Sequence, residues 1–249
     1  MRGTLGRRSI LARAADLVWP PRSLLSDRLV ERPGAIEAER WAELHFLGDP
    51  CCAACGFPFE TAADDGALCG ACAAERPAYA SARAPLGYDD RSRQLVLDLK
   101  RGGRRDGLPL FASWMGQAGA AMLAEADAIV PAPLHWTRLV ERRFNQSAWL
   151  AQALSARCGK PVLLNALVRR KRARSQGGLT ASQRRRNVAG AYRAGAVHSL
   201  AGRIVVLVDD VFTTGATAEA CTRALLRAKA ARVHVLTLAR VVRPVDVVI

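Results

Sequence analysis

Val205-Val-Leu-Val-Asp-Asp-Val-Phe-Thr-Thr-Gly-Ala-Thr217 decides the reading of this chain. Its apolar, β-branched opening reads as a strand buried on both faces, of the kind found in parallel sheets. The run ends at Asp209 and Asp210, two carboxylates that cannot stay buried without partners. A turn of threonines and glycine follows, and Ala216–Ala228 then reads as a helix. The order is strand, acidic pair, hydroxyl-bearing loop, helix N-terminus.

Each part has a physical use. Free backbone N–H groups and the helix dipole across Thr214–Thr217 favour an anion, usually phosphate. Gly215 lets the backbone approach that anion closely. The hydroxyls of Thr213, Thr214 and Thr217 add donors, and the aspartates accept from sugar hydroxyls or face a hydrated cation. Together these residues describe a phosphosugar pocket at the carboxyl end of a sheet strand, where open α/β folds place ligands. A P-loop is excluded because no Gly-Lys-Ser/Thr follows. The plainer alternative is a core strand entering a helix capped by Thr213 or Thr214. It accounts for one threonine and leaves the acidic pair unexplained.

The segment resembles the PRPP-binding motif of type I phosphoribosyltransferases along its whole length. The resemblance implies that Asp209 and Asp210 hold the ribose hydroxyls. Thr213, Thr214, Gly215, Ala216 and Thr217 would hold the 5′-phosphate, with Mg²⁺ accompanying PRPP.

Composition frames this reading. At 249 residues, half of them hydrophobic, the chain can bury one α/β domain and a small appendage. The formal net charge of +15 invites an acidic partner such as nucleic acid or a polyphosphate. Arginine supplies 33 of the 37 cationic residues, a bias that base composition of the genome can also produce. No stretch is long and apolar enough to span a membrane. The run Ile10 to Trp19 is broken by Arg13 and Asp16 and lacks a cleavage site, so no signal peptide is expected. Seven cysteines, mostly clustered, suit metal binding in a reducing cytoplasm better than a disulfide framework.

Cys52-Ala-Ala-Cys55 and Cys69-Gly-Ala-Cys72 are two Cys-x-x-Cys pairs with 13 residues between them. Four thiolates, two per pair, make a closed tetrahedral zinc site with no open position for catalysis. The gap is a little shorter than the ~15–20 residues usual between such pairs. Reduced buried cysteines, or one disulfide, are the alternative. Cys51 reads as a spare thiol, and Cys158 and Cys221 as single helix residues.

A cysteine ribbon ahead of a phosphoribosyltransferase-like domain is the layout of the ComF family, which this chain resembles over roughly residues 50–242. Further segments carry the resemblance: Tyr88 to Gly103, Val130-Pro-Ala-Pro-Leu-His135, Arg142-Arg-Phe-Asn-Gln146, Ser175 to Leu179 and Arg186-Asn-Val188. The family is tied to DNA uptake in competent bacteria. Many of its members carry two ribbons, the first opening on Pro-Pro-Arg-Cys-x-x-Cys. Here Pro20-Pro-Arg22 runs into Ser23-Leu-Leu-Ser26, so the first ribbon is expected to have lost its metal. The expected division is 1–48, helical or a degenerate first ribbon; 49–80, a zinc ribbon of four cysteines; and 81–249, the phosphoribosyltransferase-like domain. Trp41, Leu44 and Phe46 are expected to lean on the retained ribbon.

Secondary structure reads as a strand near Ala84–Tyr88, helices at Arg91–Lys100 and Leu108–Ala124, and a strand at Ala128–Pro131. A helix at Thr137–Arg157 follows, then a basic loop and a helix at Thr180–Asn187. Strand Arg203–Val208, helix Ala216–Ala228 and strand Arg232–Ala239 close the domain. The fold class is α/β: a mainly parallel sheet flanked by helices, with an N-terminal zinc-ribbon module. By the resemblance, the turn ending at His135 faces the pyrophosphate of PRPP. Arg138 and Arg142 on the next helix approach the same anion, and guanidinium suits oxyanions. His135 reads equally as a polar loop residue. Asn145 and Gln146 either fix loop geometry or read a base. The run Arg169 to Arg174 either closes over PRPP, grips a nucleic-acid backbone or is a solvated charged face.

Two functions remain open. One is an enzyme transferring phosphoribosyl from Mg²⁺-bound PRPP to a nitrogenous acceptor. The other is a non-catalytic accessory protein of DNA uptake that binds PRPP or a nucleotide and meets single-stranded DNA, or uptake proteins, on its basic surface. A plain zinc-ribbon DNA binder leaves the acidic pair and its loop unexplained.

Overall fold

In the computed structural model, residues 20–101, 104–170 and 190–242 are described. The segments Ser175 to Leu179 and Arg186 to Val188, the helix at Thr180–Asn187 and most of the basic run lie outside them.

The longest strands are the ones richest in branched apolar residues. Strand β6 (Ile204–Phe212) and strand β7 (Arg232–Arg240) pair in parallel from Ile204↔Arg232 to Phe212↔Arg240. Strand β3 (Ala128–Pro131) joins the outer side of β6, with Ile129 opposite Val206. The other edge is shared by β1 (Ser81–Arg83) and β2 (Leu86–Gly87), which both pair with β7. All of these pairings are parallel, as the alternation of elements implies. Pro85 lies in the gap between β1 and β2, so two short strands replace the single one expected over Ala84–Tyr88. A separate antiparallel pair, β4 (Leu167–Arg169) and β5 (Tyr192–Ala194), flanks the basic run and has no counterpart in the sequence reading.

The sheet has an apolar layer on each face. Val206, Val208, Leu236 and Leu238 face a cluster that includes Leu99, Phe111, Met115, Leu150 and Leu154. Those side chains come from helices α3 (Asp90–Arg101), α4 (Leu108–Ala118) and α7 (Gln146–Cys158). Val205, Leu207, Val233 and Val235 face the opposite cluster, with Leu225 and Cys221 of α8 (Ala216–Arg227) and the ribbon residues Cys52, Cys55 and Cys72. The last of these lies on the one-turn helix α2 (Gly70–Ala74).

Two long helices expected from periodicity are each broken. Leu108–Ala124 divides at Gly119 into α4 and α5 (Ala120–Glu125). A side chain at Gly119 would meet Leu236 at 2.7 Å, so the backbone lies close against the sheet there. Thr137–Arg157 divides into α6 (Trp136–Arg142) and α7 at Arg143, which takes a left-handed conformation with φ 63°.

Residues 20–48 hold one short helix, α1 (Ala38–Ala42), and a bridge between Arg22 and Leu29. Trp41 and Phe46 do not lean on the retained ribbon. Their rings meet Trp114 of α4 at 5.2 and 5.3 Å, and Leu44 joins the same helical layer. The segment therefore packs on the sheet face opposite the ribbon, because α4 offers a large aromatic surface there. Among the described residues no helix is long and apolar enough to cross a membrane.

Candidate functional site

Strand β6 runs four residues beyond the expected Val208, so Asp209 and Asp210 lie within its carboxyl-terminal half. The first turn of α7 receives them. Ser147 Oγ donates to Asp209 Oδ1 at 2.9 Å, and Gln146 Nε2 donates to Asp210 Oδ2 at 3.0 Å. Lys100 Nζ, near the end of α3, lies 3.2 Å from the same Oδ2. Asp210 is buried at 6% exposure, and these two donors meet the need of a buried carboxylate for partners. Asp209 has fewer. Burial, and next the Asp210 charge beside it, push its carboxyl up to about 7.

Asn145 explains why α7 starts where it does. Its Oδ1 accepts from Ser147 N at 3.0 Å as an N-cap, while its Nδ2 donates to the Ala132 carbonyl at 3.0 Å. That second bond holds the helix start against the turn after β3. Asn145 thus fixes geometry, and Gln146 and Ser147 position the acids.

Past the acids, Gly215 is the N-cap of α8, with φ 75° and no side-chain cap. The alternative in which Thr213 or Thr214 caps a plain core helix does not hold. A Cβ at Gly215 would lie 2.9 Å from the Phe212 ring, so glycine is required both by its φ and by space. Thr214 buries its Oγ1 with no hydrogen-bond partner. An uncapped helix N-terminus beside an unpartnered hydroxyl is a fitting cradle for an anion.

These groups line one cavity of about 520 Å³, walled by Asp209, Asp210, Thr213, Thr214, Gly215, Ala216 and Thr217 together with Lys100, Arg142, Arg169 and Tyr192. Arg142 Nη1 reaches Gln146 Oε1 at 3.5 Å. Arg169 lies over the Tyr192 ring at 5.3 Å and leaves its Nε buried without a partner. Cationic and hydroxyl-rich walls around two acids suit a ligand carrying both phosphates and sugar hydroxyls.

His135 stands outside this wall. It is buried, and its Nδ1 accepts from Thr137 N at 3.3 Å, capping α6. The Arg138 side chain lies outside the described residues. In the sequence Lys100 and Arg169 stand out only as parts of longer segments, and Ser147 and Tyr192 carry no mark of a role. No local signal marks Lys100, because the end of α3 is brought to the acids by tertiary packing alone.

The cysteine module forms as its spacing implies. Ligand atoms of Cys52, Cys55, Cys69 and Cys72 all lie within 4.8 Å of one another. Cys51 is outside the cluster, its Sγ donating to Asp49 Oδ1 at 3.3 Å. Burial, and then the nearby Cys55 thiolate, push the Cys72 thiol well above its ordinary range. Four cysteine sulfurs gathered this closely are a fitting ligand set for structural zinc, which binds them as thiolates.

The ribbon is bonded to the domain that carries the acids. Glu219 of α8 accepts from Ala78 N at 2.9 Å, and Tyr79 meets the Phe212 ring edge-on at 6.1 Å. Arg240, at the end of β7, donates through Nη1 to the Cys55 carbonyl.

Comparison with known proteins agrees with this anatomy. A family model described as "Phosphoribosyl transferase domain" matches residues 145–245, and one described as "Double zinc ribbon domain" matches residues 14–76. The DNA utilization protein YhgH of Salmonella typhimurium is 32% identical over 194 residues, covering 76% of this chain and 83% of the relative. Competence protein F of Haemophilus influenzae is 37% identical over 115 residues, covering 46% of this chain. The match spans 50% of that relative's length. Among solved structures, orotate phosphoribosyltransferase from Aeropyrum pernix aligns at a TM-score of 0.36 with 16% identity, over 63% of this chain and 80% of that one.

Proposed function

Because this chain belongs to the ComF family, we propose that its sheet-end cavity binds PRPP with Mg²⁺ and transfers phosphoribosyl to a nitrogenous acceptor. The observation that carries this reading is the single cavity in which Asp209 and Asp210 face the uncapped N-terminus of α8. Asp209 and Asp210 accept from the two ribose hydroxyls. The first-turn amides of α8, with Thr213, Thr214 and Thr217, hold the 5′-phosphate. Arg169 and Arg142 face the pyrophosphate, where guanidinium forks match oxyanion geometry.

In the transfer, the bond from the anomeric carbon to pyrophosphate breaks through an oxocarbenium-like state. The acceptor nitrogen supplies the electron pair of the new bond and gives up a proton to solvent. Two adjacent carboxylates, one of them shifted up by burial and by the charge of the other, are a fitting donor set for a hydrated divalent ion near the sugar. Mg²⁺ bound with PRPP would neutralise charge on the leaving group. Preorganised cations in a walled cavity contribute most to such a step, so the arginines carry more of the rate than any general base.

The names of the relatives favour a second reading, in which PRPP or a nucleotide is sensed without turnover and the protein serves DNA uptake. Its net charge of +15 supports contact with single-stranded DNA or with uptake proteins. We further propose a reducing, cytoplasmic setting, in keeping with seven cysteines of which four gather as a metal-ligand set and none is in a disulfide. A pyrophosphate-release screen over nucleobases and other nitrogenous acceptors separates the two. Release with one acceptor, lost in Asp210→Asn, is expected of the enzyme. Binding of PRPP without release from any acceptor supports the sensor.

A further inference from the structure

A second cavity, of about 510 Å³, lies between the cysteine ribbon and the outer side of the loop Thr213–Ala216. It is nearly as large as the sheet-end cavity and shares that loop as a common wall. Its own walls come from parts that the transfer reaction does not use: the ribbon with the segment 75–79 that leaves it, the end of β7, and the outer face of α8. We infer that this cavity is a separate binding site for a mononucleotide, a planar aromatic base joined to phosphate.

Three observations carry the inference. The first is shape and surface: Phe57, Tyr79 and Phe212 supply aromatic wall, in a volume that suits a ligand of nucleotide size. The second is charge. Four arginines line the cavity (Arg76, Arg223, Arg227 and Arg240) against two glutamates, Glu75 and Glu219. Glu219 is already engaged by Ala78 N at 2.9 Å and by Arg223 at 2.7 Å. Cys55, Cys69 and Cys72 also line the cavity, and Arg240 offsets the charge of these zinc-binding thiolates, so Arg76 and Arg227, one on each wall, are the cations left to meet an anion.

The third observation is Arg240. It is 5% exposed, and its guanidinium sits 5.5 Å from the Phe57 ring centre and 5.2 Å from that of Phe212. One nitrogen donates to the Cys55 carbonyl, while Nε is buried with no hydrogen-bond partner. This unpartnered Nε is a fixed donor beside aromatic wall, and a nucleotide offers both a ring and phosphate oxygens in return. An aliphatic anion would satisfy the charge and waste the rings. A free base would satisfy the rings and waste the arginines.

The test is calorimetry on the full, zinc-loaded chain without PRPP, so its outcome does not depend on the transferase reading. AMP, GMP, CMP and UMP are titrated alongside adenosine, inorganic phosphate, decanoate and a dT oligonucleotide. At least one mononucleotide is expected to bind with Kd on the order of 10–100 μM. Adenosine, phosphate and decanoate should bind at least about tenfold more weakly, since each lacks half of the match. Arg76→Ala combined with Arg227→Ala removes one cation from each wall and should weaken the nucleotide about tenfold or more. Asp209→Asn combined with Asp210→Asn should leave it within about twofold. Three results overturn the inference: no mononucleotide binds at millimolar concentration, the oligonucleotide or decanoate alone binds, or nucleotide binding follows the aspartate variant instead of the arginine variant. The last would place the nucleotide in the sheet-end cavity.

Discussion

Gln146 Nε2 donates to Asp210 Oδ2 at 3.0 Å, joining the first turn of α7 to the end of β6 across 64 residues of sequence. The bond is buried and one partner is charged, so it belongs to the stronger class of protein hydrogen bonds. Its neighbour Ser147 makes the matching bond to Asp209. The two acids are therefore held in place before any ligand arrives.

Gln146→Ala should lower stability by about 1–3 kcal/mol, because Asp210 keeps its burial and loses a donor. Thermal denaturation should register this as a fall of several degrees. PRPP affinity should drop about tenfold in calorimetry, since the carboxylate is no longer oriented. An unchanged melting temperature together with unchanged affinity would remove Gln146 from the site.

Asp209 gives a pH dependence with a definite sign. Its folded pKa is raised to about 7 from 3.8, so the folded state holds this proton more tightly than the unfolded chain. Ionisation therefore costs stability, a cost that is absent below 3.8, grows as pH rises and is complete above about 7. Asp209→Asn should be more stable than the parent protein at a pH above that range and no more stable below it. In the parent, PRPP affinity should fall as pH drops below the folded pKa, because protonation removes an acceptor from the ribose hydroxyls. The variant should bind weakly and lose that part of the pH dependence, which titrations at several pH values will check.

Gly215→Val should disable the loop. The residue needs φ 75°, and a Cβ would press on the Phe212 ring at 2.9 Å. A destabilisation of about 1–3 kcal/mol is expected from the backbone strain alone. PRPP binding should be lost even at temperatures where circular dichroism shows the fold intact. Retained binding would mean that the phosphate sits elsewhere.

Metal analysis should find one zinc per chain, bound at Cys52, Cys55, Cys69 and Cys72. Cys72→Ser should reduce zinc content and lower the melting temperature. PRPP affinity should also weaken, because Tyr79 and Arg240 tie the ribbon to Phe212, next to the loop. Two zinc ions per chain would contradict the degenerate first ribbon, and none would undo the cysteine assignment.

Much of this is legible in the sequence because the informative features are local. A β-branched run, a glycine at positive φ and paired Cys-x-x-Cys spacings each write their geometry into adjacent residues. The parallel sheet and the clustering of the four cysteines follow from them. The acids' partners are not legible. Lys100 reaches Asp210 from another helix, and Arg169 enters the cavity from a strand pair that periodicity over three residues cannot announce. The neighbourhood of His135 points toward pyrophosphate or a polar loop, whereas its imidazole serves as the cap of α6. Trp41 and Phe46 read as part of the nearest module in sequence, yet the Trp114 surface on α4 outweighs proximity along the chain.

The central claim is that PRPP occupies the cavity between the acidic pair and the α8 N-terminus. Calorimetry with PRPP and Mg²⁺, run in parallel on the parent protein and on Asp209→Asn combined with Asp210→Asn, tests it most directly. The account predicts one site per chain in the parent and at least a ~30-fold weaker interaction in the folded variant, about 2 kcal/mol for the lost hydroxyl acceptors. Equal affinity in the two proteins, or no heat from the parent at millimolar PRPP, would contradict it.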